Sequence, residues 1–130
     1  MEDRTVTGAI ETDAEPEAIM GILQDVQMLP EWAPLFADRV EPAGENRWRV
    51  TRNGEQFAME VAIGWTRCTV DYLREIAPGQ RGGAYLRVLP RPGGGSVVVM
   101  TLPVAPGRNA SEVGAILQQE LAALIRLHVA

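Results

Sequence analysis

Between Thr5 and Thr12 (TVTGAIET) apolar and polar positions alternate, with Val6, Gly8 and Ile10 on one face, which predicts a half-buried strand. The period then lengthens. Ile19, Ile22, Leu23 and Val26 recur at i, i+3, i+4 and i+7, the spacing of an amphipathic helix running from Glu15 to Val26. Thr12 and Glu15 have the separation of a capping box, and Pro16 suits a first helical turn, where its missing N–H is not needed. The next stretch, Gln24 to Phe36 (QDVQMLPEWAPLF), is apolar yet broken by two prolines. A tight turn at Pro30 followed by a short helix over Glu31–Phe36 accounts for it, with Trp32, Leu35 and Phe36 laid over one end of a core.

From Val40 onward the pattern is that of a meander. Turn signals recur at Pro42–Asn46, Asn53-Gly54, Pro78–Gly83 and Pro92–Gly95, with strand-like runs between them. The clearest run is Glu55–Trp65, where Phe57, Met59, Val61, Ile63 and Trp65 share one face. In Arg67–Ile76, Cys68, Val70 and Tyr72 oppose Arg67, Thr69 and Asp71, so Asp71 points outward if Tyr72 points inward. Ala84–Leu89 and Ser96–Val104 complete the meander, with Leu86, Val88, Val98, Met100 and Leu102 on its inner face. The last segment, Ala110–Val129, reads as the longest helix. Its apolar stripe runs through Val113, Ile116, Leu117, Leu121, Leu124 and His128, and Asn109 with Glu112 supplies a variant capping box. A helix of that length needs a large apolar partner.

Three features lie in this element order: the first helix ends in Leu29-Pro30-Glu31-Trp32-Ala33-Pro34, a middle strand carries Val70-Asp71-Tyr72, and the final helix begins after Pro106-Gly107. Together they resemble the SRPBCC superfamily, the helix-grip domains of START, birch-pollen-allergen and polyketide cyclase/dehydrase type. The resemblance covers the whole chain and implies an α+β helix-grip fold. That fold is a curved seven-stranded antiparallel sheet around a long C-terminal helix, with two short helices after the first strand. It also implies a hydrophobic cavity between sheet and helix for a lipid, polyketide or other apolar small molecule. On that expectation Trp32, Phe36, Phe57, Met59, Val61, Tyr72, Leu86, Met100, Leu117 and Leu121 are the ligand-binding candidates. The alternatives that stay open are a polyketide cyclase/aromatase acting on a bound poly-ketone chain, and a non-catalytic protein-interaction or regulatory module.

Composition narrows this picture. At 130 residues, one domain over 1–130 is expected, and 46% hydrophobic with 22% charged residues is a globular balance. No apolar run reaches the roughly 20 residues that span a bilayer, and Met1-Glu2-Asp3-Arg4 is not the start of a signal peptide, so a cytoplasmic protein is expected. A net charge of -5 argues against nucleic acid as a partner. Homodimerisation is left open, no heptad pattern supporting it.

Few residues offer chemistry. One cysteine, Cys68, and one histidine, His128, exclude a disulfide framework and a Cys- or His-rich metal centre; no metal and no cofactor are expected. All 12 cations are arginines, which removes Schiff-base chemistry on a lysine. Tyr72, on the inner face, is the candidate catalytic residue, its hydroxyl within reach of a ligand carbonyl; the competing reading is a core tyrosine. Cys68 reads as a small buried hydrophobe and His128 as a rim or surface residue close to the chain end. Arg47, Arg49, Arg52, Arg67 and Arg87, interspersed with Glu45, Glu55 and Glu60, read as a solvated mixed face, and Gly93-Gly94-Gly95 as a hairpin turn.

Overall fold

The opening alternation becomes strand β1 (Thr5–Thr12) in a computed structural model that describes residues 4–129; the acidic start at Met1–Asp3 and Ala130 lie outside the described residues. There follow α1 (Pro16–Gln24), a 3-10 turn (Val26–Met28), α2 (Leu29–Trp32) and six strands. These are β2 (Arg39–Gly44), β3 (Arg47–Arg52), β4 (Glu55–Gly64), β5 (Thr69–Ala77), β6 (Gln80–Pro90) and β7 (Ser96–Pro103). Helix α3 (Ala110–Arg126) and a 3-10 turn (Leu127–Val129) close the chain. The strands form one antiparallel sheet in the order β1-β7-β6-β5-β4-β3-β2, curved around α3 in the helix-grip arrangement. Strands β2 to β7 are a meander of hairpins. The connection carrying α1 and α2 crosses from one edge of the sheet to the other.

Register decides which side chains face α3. Val61 pairs with Tyr72 and Tyr72 with Ala84; Val70 pairs with Leu86, Leu86 with Met100 and Met100 with Gly8. Because side chains alternate along a strand, these rows line the concave face, and Asp71 points the other way. Helix α3 lies on β1 at Gly8, where an added Cβ would stand 2.6 Å from the Leu117 side chain. A glycine is what allows helix and strand to approach so closely. Val113, Leu117, Leu121 and Leu124 are buried along α3, as the stripe predicts. Burying a side chain of this kind contributes about 1.5–3 kcal/mol, so the three leucines and Val113 hold the helix in the grip. The Asn109 side chain caps the helix, accepting from the N–H groups of Ser111 at 2.8 Å and Glu112 at 3.4 Å.

Several local expectations change in the fold. The Thr12/Glu15 capping box does not form: Glu15 Oε1 accepts instead from the Gly95 N–H at 3.0 Å, while Thr12 Oγ1 accepts from the Ala14 N–H at 3.2 Å. The pairing of β1 with β7 brings the β6–β7 hairpin against the start of α1, and a tertiary donor replaces the local one. Arg91 reinforces that junction, donating from Nε to the Gly94 carbonyl at 2.8 Å and pairing with Asp13 at 2.6 Å. Helix α1 stops at Gln24, two residues short of Val26, because Asp25 leaves the helical region (φ -83, ψ 84). Helix α2 begins at Leu29 and runs through Pro30 instead of starting after it, since a proline in the first turn removes an N–H that has no helical partner anyway. Strand β4 ends at Gly64, which leaves Trp65 in the β4–β5 turn and 56% exposed, so the apolar face expected to extend to Trp65 stops short. Cys68 sits in the same turn with φ 54, one residue before β5.

Among the described residues no helix is long and apolar enough to cross a membrane.

Candidate functional site

The concave face, α2 and α3 do not close on one another completely. They leave a cavity of about 380 Å³. Its walls come from three places: Leu29, Trp32, Ala33, Leu35 and Phe36 on α2 and its exit; Tyr72, Ala84, Met100 and Leu102 on the sheet; and Val113, Ile116 and Glu120 on α3. Pro103, Ala105 and Arg108, leading from β7 to α3, complete the lining. Small side chains, Ala33 and Ala84, border the void, and so does Tyr72. Its hydroxyl donates to the backbone carbonyl of Leu23 at 2.8 Å, and its ring stands 6.0 Å from that of Trp32 at an interplanar angle of 57°.

Of the ten positions expected to meet a ligand, four line this cavity: Trp32, Phe36, Tyr72 and Met100. The other six stand elsewhere. Met59, Val61, Leu86, Leu117 and Leu121 are buried in the core proper, their surface already consumed by packing between sheet and helices. Phe57 backs the wall from behind. Its ring meets Phe36 edge-on at 5.5 Å and lies beneath the Arg74 guanidinium, 4.0 Å from the ring centroid. The strand alternation that put these residues inside does not say how far along the concave face the void extends.

Tyr72 is buried, which pushes its phenol far above its ordinary value, and its proton is engaged with Leu23. That geometry suits an anchor for α1 more than a proton donor to a ligand. His128 is exposed on the final turn, and Cys68 is half-buried with its Sγ directed at the Trp65 carbonyl, 3.6 Å away; neither lines the cavity.

The residue that the stripe on α3 conceals is Glu120. It is 8% exposed, lies in the cavity wall, and accepts no hydrogen bond from the described residues. Desolvation pushes its carboxyl up to about 7 from an ordinary 4.5. Its position was visible in principle: 120 is seven residues after Val113, three after Leu117 and four before Leu124, so a carboxylate stands within an otherwise apolar stripe. Reading the stripe from its apolar members alone passes over it. Among the described residues two side-chain polar atoms are fully buried without a partner, Trp32 Nε1 and Arg74 Nε. Arg108 is the one charged group at the rim among the described lining residues.

The mouth is held by the β3–β4 hairpin. Arg52 Nε donates to the Leu35 carbonyl at 2.9 Å, and the Arg52 guanidinium pairs with Asp38 at 3.2 Å. Asp38 in turn accepts from the Asn53 N–H at 2.8 Å. These bonds fix the loop that presents Leu35 and Phe36. On the far side of the sheet, Glu60 pairs with Arg81 at 3.0 Å and lies 3.9 Å from Arg47, and the hydrogen bond from Arg81 holds its carboxyl below the ordinary value. Of the residues expected on a solvated mixed face, Arg47 and Glu60 meet here, whereas Arg52 is drawn to Asp38 and the Leu35 carbonyl.

Comparison with known proteins agrees with the architecture. Residues 3–128 match the sequence family described as polyketide cyclase / dehydrase and lipid transport. No curated protein sequence matches the chain. Among solved structures, the Zhui aromatase/cyclase from Streptomyces sp. R1128 superimposes with a TM-score of 0.65 at 18% identity, over 96% of this chain and 93% of that one. A START superfamily protein from Mycobacterium smegmatis gives 0.71 at 17% identity, over 96% and 97%. The protein XoxI from Bacillus cereus gives 0.74 at 15% identity, over 98% and 96%. At these identities the likeness shows a shared fold.

Proposed function

We propose, for a chain that belongs to the polyketide cyclase / dehydrase and lipid transport family, that its cavity binds a hydrophobic small molecule, lipid or polyketide-like. The observation that carries this reading is the cavity itself. A half-open space of about 380 Å³ walled by Trp32, Phe36, Met100, Leu102, Val113 and Ile116 is an apolar volume left between the sheet, α2 and α3. Its size falls within the range of about 300–1,000 Å³ usual for small-molecule pockets. Each methylene that a ligand moves from water into such walls is worth about 0.8 kcal/mol, so affinity accrues from area without a charged anchor.

The test is a titration with Nile red, a neutral polarity-sensitive dye, followed by displacement with fatty acids and aromatic polyketides. Saturable binding with a blue-shifted emission and competitive displacement is the expected result. Linear, unsaturable uptake would count against a defined cavity.

A second reading, turnover of a bound poly-ketone chain, is favoured by Glu120. A carboxyl raised to about 7 in the cavity wall is in the range where a group both gives and takes a proton near neutral pH. Enolisation and dehydration of a folded poly-ketone need that exchange, and the walls supply the orientation. Loss of cyclised product on Glu120→Gln, with dye binding retained, separates this reading from simple carriage.

A further inference from the structure

We propose that the sheet carries a second binding site, an arginine-lined cleft where β4 and β5 part, and that it takes the phosphate group of a soluble phosphomonoester. The site stands apart from the cavity and does not depend on how the cavity is used.

Strands β4 and β5 pair from Gly64↔Thr69 only as far as Glu60↔Leu73. Beyond that point β4 stays with β3 down to Glu55 and β5 stays with β6 down to Ala77, so the two pairs of strands diverge. A cleft of about 250 Å³ opens between them. Three arginines line it, each from a different strand: Arg47 on β3, Arg74 on β5 and Arg81 on β6. Arg74 has the parity of Tyr72, whereas Glu60 and Arg47 belong to the opposite face, and only the parting of the strands lets groups from both faces line one space. Two carboxylates, Glu60 and Glu75, stand with the three arginines, which leaves cations in excess.

The ion pairs do not use up the three guanidinium groups. Arg81 is bound to Glu60 at 3.0 Å, while Arg47 comes only within 3.9 Å of the same carboxylate. Arg74 makes no ion pair among the described residues. It is half-buried, its Nε is covered without an acceptor, and its guanidinium lies 4.0 Å from the centroid of the Phe57 ring. Taking a cation partly out of water without a counter-charge is costly, and stacking on a ring offsets only part of that cost. An oxyanion in the cleft supplies the counter-charge that the chain does not. The stack also holds the guanidinium in place, so little side-chain freedom is left to lose on binding. Arginines arriving from three strands suit a tetrahedral phosphate, whose oxygens point in several directions, better than a carboxylate, whose two oxygens share a plane.

Titration with inorganic phosphate at constant ionic strength, followed in proton–nitrogen correlation spectra, tests the proposal. The Arg74 Nε–H signal and the amides of Ala58 and Met59 should shift and saturate at about millimolar phosphate, and glycerol phosphate should act alike. Acetate should bind about tenfold more weakly or worse. Arg74→Met, which keeps an unbranched side chain against Phe57, should weaken phosphate by about tenfold or more, as should Arg81→Gln at an exposed position where folding is not at stake. Glu75→Gln, which removes a like charge, should strengthen it. Arg39→Gln, whose partner is Glu41 outside the cleft, should leave it unchanged. Shifts that fail to saturate, or that chloride reproduces, overturn the proposal. So does an affinity unchanged in Arg81→Gln, or an equal loss in Arg39→Gln, which would make the effect one of net charge. Saturating phosphate should leave Nile red affinity as it was; displacement of the dye would put the anion in the cavity and overturn the second site. Vesicles containing phosphatidate should retain none of the protein, and retention abolished by Arg74→Met would make the source a lipid headgroup and overturn the soluble one.

Discussion

The hydroxyl of Tyr72, in the middle of the sheet, donates a 2.8 Å hydrogen bond to the backbone carbonyl of Leu23, one residue before the end of α1. Carbonyls at a helix C-terminus have no helical donor, so this bond satisfies one of them and ties the crossing connection to the concave face. Tyr72→Phe should therefore cost about 1–3 kcal/mol of stability, read as a lower urea midpoint with an unchanged slope. Nile red affinity should stay within about twofold, because the ring that lines the cavity remains. A variant that folds normally yet loses turnover would return Tyr72 to the role of acid.

Glu120 makes stability depend on pH in a direction opposite to that of an ion-paired carboxylate. Its folded-state value of about 7 lies above its ordinary 4.5, so the native state binds more protons than the unfolded chain between those values. Stability should fall as pH rises across that window, by on the order of 3 kcal/mol. In Glu120→Gln this fall should be absent, and the variant should be the more stable protein above neutral pH. Urea denaturation of both proteins at several pH values between about 5 and about 8.5 measures it.

Ala84 is small where the cavity needs space. Its side chain lies beside Tyr72 on the concave face and borders the void. Ala84→Phe should fill part of that volume and weaken Nile red binding by about tenfold or more. Circular dichroism should remain that of the wild type, since the new ring enters empty space rather than a packed core. Unchanged dye affinity in a folded variant would place the dye outside this cavity.

Arg52 secures the loop bearing Leu35 and Phe36 through the Leu35 carbonyl and Asp38. Both partners are partly solvated, so Arg52→Ala should cost only about 0.5–1.5 kcal/mol globally. The local effect should be larger: faster amide exchange across Leu35–Asp38 and faster dye association and release, with hydrogen-exchange mass spectrometry and stopped-flow fluorescence as the readouts.

Gly95 adopts φ 89, and a Cβ there would approach the Thr12 carbonyl to 2.3 Å. Gly95→Ala should destabilise the protein by about 1–3 kcal/mol, through backbone strain and loss of the contact between the β6–β7 hairpin and the start of α1. Thermal denaturation gives the magnitude. Gly93→Ala, at a turn position where an added Cβ meets nothing, should cost less.

Periodicity was enough to reveal the elements and their order, because a strand or helix that buries one face must write a period of 2 or 3.6 into its own residues. The alternation of Thr5–Thr12, the meander, and the stripe on α3 with its Asn109 cap all survive in the fold. So does the place of the proline-broken segment, which lays Trp32 and Phe36 against the cavity. What periodicity cannot express is distance between elements. Glu15 looks like a local cap until β7 pairs with β1 and delivers the Gly95 N–H. Phe57 and Met59 share an inward face with Val61, yet the void lies beyond all three. Glu120 lies in an apolar stripe, where a sequence shows only an interruption. The upward shift of its carboxyl comes from desolvation, and that is a property of the packing of α3 against the sheet, which no stretch of the chain holds by itself.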